Sequence, residues 1–188
     1  MRIHRPLLVT VVLLLAVVTV AGAQAPVQAP KRAPDVPYVP TDEKVVTAML
    51  DIAKVQKSDI LYDLGSGDGR IPITAAKRFG TKGTGIDIDP VRVAEAKENA
   101  KKAGVEDRVR FIEGDIFDAD IKDATVVMLY LLPDINLKLR PKLLADLKPG
   151  TRIVSHNYDM GDWKPEKEIR INLPNATHTV YFWTVPKK

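Results

Sequence analysis

Leu61-Tyr62-Asp63-Leu64-Gly65-Ser66-Gly67-Asp68-Gly69-Arg70 is the stretch whose reading decides the fold. An apolar strand at 60–64 runs into a turn in which Gly65, Gly67 and Gly69 alternate with polar residues, and a helical pattern follows. Glycine has no Cβ, so such a turn takes positive φ and brings its backbone close to a ligand. The carboxylates narrow the ligand's chemistry. Asp63 precedes the first glycine by two residues and Asp68 lies inside the loop; both repel a pyrophosphate and welcome an amino group and a sulfonium. The spacing is G-x-G-x-G after an aspartate, whereas the dinucleotide fingerprint is G-x-G-x-x-G. The expected ligand is therefore S-adenosylmethionine, with a dehydrogenase's dinucleotide a distant alternative.

Working outward, 188 residues with 45% hydrophobic and 28% charged side chains suit one globular domain with a substantial core. The formal charge is +4 and falls to +2 without Arg2 and Arg5. With no basic stripe interleaved with aromatics, nucleic acid is not an expected partner. Cysteine is absent, which removes disulfides and Cys-based metal sites, and three scattered histidines propose no metal centre. A monomer is expected.

The basic start (Arg2, His4, Arg5), the apolar run at 7–20 and Ala21-Gly22-Ala23 read as a signal peptide over 1–23. The run is shorter than the ~20 residues of a comfortable transmembrane helix. Export to the periplasm or cell exterior is the expectation. The alternative is an uncleaved membrane anchor, the only membrane association expected. Residues 24–40, with Pro26, Pro30, Pro34, Pro37 and Pro40, read as an extended linker, and 41–188 as the folded domain.

Thr41 is a candidate helix cap ahead of Val45, Val46, Met49, Leu50 and Ala53. Strands are expected at 60–64, 83–88, 109–112, 125–132 and 152–155. Helices are expected after the glycine loop, from Pro90 to Gly104, and over 134–148 with an interruption near Pro141. Two arms at 168–173 and 178–185 flank 174–177 as a hairpin. This alternation predicts a three-layer α/β sandwich, Rossmann-like and mostly parallel, with a C-terminal antiparallel hairpin.

In an open α/β sheet the ligand crevice lies beyond the carboxyl ends of the strands. Asp63 and the glycines, Asp87, and Asp115 follow three successive strands there. Asp87 is placed to accept from both ribose hydroxyls, Asp115 from an adenine amino group while the Ile116 amide donates to a ring nitrogen, and Asp63 to hold a methionine ammonium.

With these residues in place, the chain from about Asp35 onward resembles the class I S-adenosylmethionine-dependent methyltransferases. The resemblance rests on Asp63-Leu64-Gly65-Ser66-Gly67-Asp68-Gly69, Gly85-Ile86-Asp87 and Gly114-Asp115. Val36-Pro37-Tyr38-Val39-Pro40-Thr41, Leu139-Arg140-Pro141-Lys142-Leu143, the segment from Leu147 to His156 and His178-Thr179-Val180-Tyr181 are similar to the small archaeal protein-lysine methyltransferases and their mitochondrial relatives. That resemblance implies a seven-strand sheet, N-methylation of lysine on protein substrates, and a segment around Tyr38 and Thr41 folded over the cofactor.

Methyl transfer to an amine needs alignment and removal of one proton more than a dedicated dyad. Tyr130, after the fourth strand, and His156, after the fifth, are the candidate catalytic residues: the first to line an amine pocket, the second to accept a proton or shape the site. Where many amino-methylating relatives carry an Asn/Asp-Pro-Pro-aromatic box, this chain reads Tyr130-Leu131-Leu132-Pro133-Asp134, which weakens a base or glutamine-amide acceptor. Asp134 reads as a helix cap, His178 as a sheet residue and Trp163 as a loop anchor. The alternative functions are a small-molecule methyltransferase and an exported, non-catalytic binding protein on the same fold.

Overall fold

The computed structural model describes residues 33–187. In chain order they form α1 (Glu43–Ile52), β1 (Ile60–Leu64), α2 (Arg70–Phe79), β2 (Lys82–Asp87), α3 (Pro90–Ala103), β3 (Val109–Glu113), β4 (Val126–Leu129), α4 (Pro133–Asp146), β5 (Arg152–His156), β6 (Lys167–Leu173) and β7 (Ala176–Thr184). One seven-stranded sheet results, in the order β3-β2-β1-β4-β5-β7-β6. Its pairings are parallel except where β7 meets β5 and β6. The expected signal peptide at 1–23 and the first part of the expected linker lie outside the described residues. Among the described residues no helix is long and apolar enough to cross a membrane.

Strand alternation builds the three layers. Successive side chains point to opposite faces, so Leu61, Val126, Met128 and Val154 meet Val45, Val46, Met49 and Leu50 of α1 and Ile71 and Ala75 of α2. Tyr62, Leu64, Val127, Leu129 and Ile153 face the other way, onto Ile135, Leu139 and Leu143 of α4. Leu61, Val126, Val127, Leu129 and Ile153 are fully buried. Each such side chain contributes about 1.5–3 kcal/mol when removed from water.

Several expected boundaries move for identifiable reasons. The fourth strand stops at Leu129, not residue 132, because its partner β1 ends at Leu64. Beyond that point Gly65 and Ser66 turn their amides onto the Ile86 carbonyl, so Tyr130 has no ladder to join. Asp42, not Thr41, caps α1, accepting from the Lys44 amide at 2.8 Å. Pro141 lies inside a continuous α4; the carbonyl deprived of its donor belongs to Leu137, an exposed residue. Asp134 lies in the first turn of α4, but Leu132 occupies the cap position and no side chain caps it. The terminal hairpin turns through Pro174 and Asn175 alone, since Leu173 already pairs with Ala176.

At the opposite end of the sheet from the glycine loop, Arg152 donates to the Ala53 carbonyl at 2.7 Å and pairs with buried Asp59. Asp59 also accepts from the Thr125 hydroxyl at 2.8 Å and the Gln56 amide at 2.7 Å. One carboxylate thus ties the end of α1 to the starts of β1, β4 and β5.

Candidate active site

Strand order reverses at β1, which lies between β2 and β4, and ligand crevices form at such switch points. A cavity of about 390 Å³ opens there. Asp63 and residues 65–68 form its floor, Asp87 and residues 114–116 one side, Tyr130 and Leu131 the other. Residues 34–41, the end of the stretch expected as linker together with Thr41, line it as a strap.

The loop's geometry comes from glycine. Gly65, Gly67 and Gly69 have φ of +81°, +51° and +79°, and Gly69 serves as the cap of α2. At Gly67 a Cβ would lie 2.5 Å from the Tyr38 ring, so the strap rests directly on the loop backbone. The Gly67 amide donates to one Asp87 oxygen at 2.8 Å and the Asp89 amide to the other at 2.9 Å. Asp87 therefore shapes the loop, lines the cavity, and keeps further acceptor capacity on each oxygen. Asp115 accepts from the Phe117 amide at 2.9 Å, which orders the turn carrying Ile116.

Asp63 is 2% exposed, and no hydrogen bond among the described residues offsets that burial. Burial first, then the charges of Asp87 and Asp68, raise its carboxyl well above the usual carboxylate range. A buried acid with no partner at the floor of a cavity is a site for a cation. Asp68 behaves differently from the expectation that it would welcome the ligand. Burial works against its charge, but hydrogen bonds and charge from Arg70 outweigh that and hold it below the usual range. The Arg70 guanidinium reaches Asp68 at 2.6 Å and the Thr41 carbonyl at 2.6 Å. Asp68 also accepts from the Tyr38 hydroxyl, and the Arg92 guanidinium lies 4.7 Å above the Tyr38 ring. Asp68 thus fastens the strap.

Tyr130 stacks on His156 with ring centroids 3.8 Å apart, and Tyr158 lies parallel to it at 6.4 Å. Burial, then Tyr158, raise the Tyr130 hydroxyl above its ordinary value, so it stays a neutral phenol. His156 is 1% exposed, with Nδ1 at 3.4 Å from the Thr41 hydroxyl and Nε2 at 2.8 Å from His178 Nδ1. His178 is therefore more than a sheet residue. Its proximity to His156 comes from the antiparallel β5–β7 register, which pairs His156 with Val180 and leaves no local signal in the sequence. Trp163 acts as an anchor, its carbonyl accepting from Trp183 Nε1 at 2.8 Å.

Burial, then His178, lower His156 to about 4. The unfolded chain, with an ordinary value near 6.5, then binds the proton that the folded ring refuses. Its stabilisation is complete above pH 6.5 and is lost as pH falls toward 4. Between pH 7 and 4.5, urea unfolding of wild type should lose roughly 2–3 kcal/mol more than His156→Gln, at about 1.4 kcal/mol per unit. Equal losses would remove the ring from the acid response.

A family profile described as the ANTKMT methyltransferase domain matches residues 63–167. A protein-lysine N-methyltransferase of Saccharolobus islandicus is 50% identical over 153 residues, 81% of this chain and 95% of that protein. The mouse adenine nucleotide translocase lysine N-methyltransferase is 32% identical over 131 residues, 69% of this chain but 56% of its own length. Among solved structures, an RNA methyltransferase from Salinibacter ruber in complex with S-adenosyl-L-homocysteine is 55% identical, with a TM-score of 0.75 over 80% of this chain and 95% of that one.

Proposed function

The chain belongs to the ANTKMT methyltransferase domain family of S-adenosylmethionine-dependent enzymes, and from that premise we propose that it methylates the side-chain amine of lysine on proteins. The observation that carries the cofactor site is Asp63, a buried carboxylate without a partner in an acid-lined cavity. A cationic ligand satisfies such a group; a pyrophosphate does not. In this reading Asp63 holds the methionine ammonium, Asp87 the ribose hydroxyls through its remaining lone pairs, and Asp115 with the Ile116 amide the adenine edge. The Gly65–Gly67 loop lines the cavity, and in this reading Tyr38 and Thr41 cover the ligand. When bound, S-adenosylmethionine would supply a sulfonium methyl to which an amine could bond in line as the carbon–sulfur bond breaks and S-adenosylhomocysteine leaves.

The acceptor side is aromatic and uncharged near neutrality. Tyr130 presents a ring and a neutral hydroxyl to the cavity, backed by His156. A ring face attracts an ammonium without pairing it in a salt bridge, so entry is favoured and the proton is still free to leave. The 50% identity to a protein-lysine N-methyltransferase supports lysine as that amine. The similarity to the Salinibacter ruber RNA methyltransferase favours a second reading, an RNA acceptor. Against it stands Tyr130-Leu131-Leu132-Pro133-Asp134, where a planar-nitrogen box is absent.

Incubating the protein with methyl-labelled S-adenosylmethionine and a total cell extract separates these readings. Label that resists nuclease, is lost to protease and hydrolyses to methyl-lysine is the expected result. Nuclease-sensitive label would replace lysine with RNA, and label confined to small metabolites would replace both. Asp63→Asn tests the cofactor floor independently. The folded carboxyl's raised value means that its ionisation opposes folding increasingly as pH rises above the ordinary carboxylate range. Asp63→Asn should therefore melt at a higher temperature than wild type at pH 8 without ligand, yet bind S-adenosylmethionine at least tenfold more weakly by calorimetry. Unchanged affinity would move the ammonium away from Asp63.

A further inference from the structure

We propose that Thr41, His156 and His178 form a directed hydrogen-bonded path that carries the acceptor's proton out of the cavity to the β7 surface. The proposal rests on the lysine reading, because only an amine that arrives as an ammonium must shed a proton before it can attack.

The direction of the path follows from Asn157. Its side-chain oxygen accepts from the Thr179 amide at 3.0 Å, which leaves its Nδ2 facing His178 Nδ1 at 3.4 Å. Nδ2 only donates, so His178 Nδ1 must be an acceptor. His156 Nε2, 2.8 Å from the same nitrogen, is then the donor. The His156 ring is neutral near pH 7 and carries a single proton, so its Nδ1 accepts, and the Thr41 hydroxyl at 3.4 Å donates to it. Every link points outward. Asn157 is held for this at φ 64°, a left-handed conformation that asparagine tolerates better than most residues.

The two ends of the path are differently placed. Thr41 is 4% exposed and lines the cavity, so its lone pairs are available to an ammonium there. His178 is partly exposed on the hairpin. The groups facing His156 are Thr41 from the strap, Tyr130 from the end of β4 and His178 from β7, with Asn157 and Tyr158 alongside the latter two. Tyr130 and Tyr158 are phenols, so none of these groups is a carboxylate that would trap the proton midway.

The transfer balances. The ammonium N–H breaks as a Thr41 O–H forms, and the amine keeps the lone pair. The original Thr41 proton passes to His156 Nδ1, the His156 Nε2 proton to His178 Nδ1, and the His178 Nε2 proton to water. One positive charge leaves the cavity and nothing is oxidised or reduced. Thr41 alone would touch the substrate; His156 and His178 act through it.

The test uses the full chain, saturating S-adenosylmethionine and a total protein extract as acceptor pool. His178→Phe keeps an aromatic ring in place and removes both nitrogens; Thr41→Val keeps the shape and removes the hydroxyl. Each should lower the initial rate of lysine labelling at pH 7 by roughly tenfold or more, less than the ~10²–10⁴-fold of a base acting directly on the reacting group, because water can take over part of the relay. The deficit should shrink at about pH 9.5 to 10, where lysine begins to deprotonate in solution, and added imidazole, a mobile base, should restore part of the His178→Phe rate. A deficit of equal size at every pH, without rescue, would reduce the pair to a strut between β5 and β7 and overturn the path.

Nitrogen-15 spectra of the histidine rings in the ligand-free protein give a readout independent of turnover. His156 should carry its proton on Nε2 with Nδ1 unprotonated. A proton on Nδ1 would reverse the direction and overturn the path whatever the acceptor is. If wild type binds S-adenosylmethionine but labels no lysine, the lysine reading falls and takes this proposal with it. Normal lysine labelling with unchanged pH profiles in both variants would overturn the path alone.

Discussion

Asp59→Ala should lower the unfolding free energy by about 3–5 kcal/mol, the scale for removing one partner of a buried charge pair. The loss is large because Asp59 serves three donors at once. Its carboxylate pairs with Arg152 and accepts from the Thr125 hydroxyl and the Gln56 amide. Removing it strands the Arg152 guanidinium, whose side chain is only 21% exposed, in a site built around a carboxylate. Asp59→Asn keeps an oxygen for Thr125 but loses the charge, and should fall between the two. Asp51→Ala is the internal control: its pair with Arg78 is 2.8 Å long yet exposed on both sides, and such pairs contribute about 0–1 kcal/mol. Urea titrations of the three variants give the comparison. A loss below about 1 kcal/mol for Asp59→Ala would mean that water already solvates the network.

Gly67→Val should weaken S-adenosylmethionine binding by about 100-fold or more, some 2.7 kcal/mol at 1.4 kcal/mol per decade. Two independent causes add. The residue sits at φ +51°, where a side chain on an L-residue costs roughly 1–2 kcal/mol and a β-branched one is a genuine outlier. Its Cβ would also lie 2.5 Å and 2.9 Å from two atoms of the Tyr38 ring. The ring is fastened by Asp68 and Arg92, so relief requires lifting the strap from the cavity or shifting the amide that donates to Asp87. Either movement dismantles a wall. Calorimetry on wild type, Gly67→Ala and Tyr38→Ala/Gly67→Ala separates the causes. Partial recovery in the double variant would assign the difference to the ring, and wild-type affinity in Gly67→Val would place the ligand elsewhere.

Much of the lining of the candidate cofactor cavity is legible because its signals are local. The glycine spacing, the aspartate before it and the acidic residues closing β2 and following β3 each lie within a few residues of a strand end. Strand ends share one edge of a parallel sheet whatever the details of packing. The nearly continuous apolar run at 125–132 likewise marks a strand covered on both faces. Loop position says nothing about a neighbour's side chain, so the pairing of Asp68 with Arg70 two residues later, at 2.6 Å, is not legible in the sequence. Thr41 was read as a cap from residue type alone. Asp42 is an equally good cap one residue on, and the tertiary contact with His156 releases Thr41 to face the ring.

The sequence by itself determined the architecture and the cofactor's chemistry, since these depend on the alternation of strands and helices and on glycine and aspartate at strand ends. Only the tertiary structure decided which carboxylate stands without a partner, which one fastens the strap, and that two histidines 22 positions apart share a proton-sized gap of 2.8 Å. Burial and antiparallel register bring those groups together. Both are properties of contacts between distant segments, and no local spacing of residues encodes them.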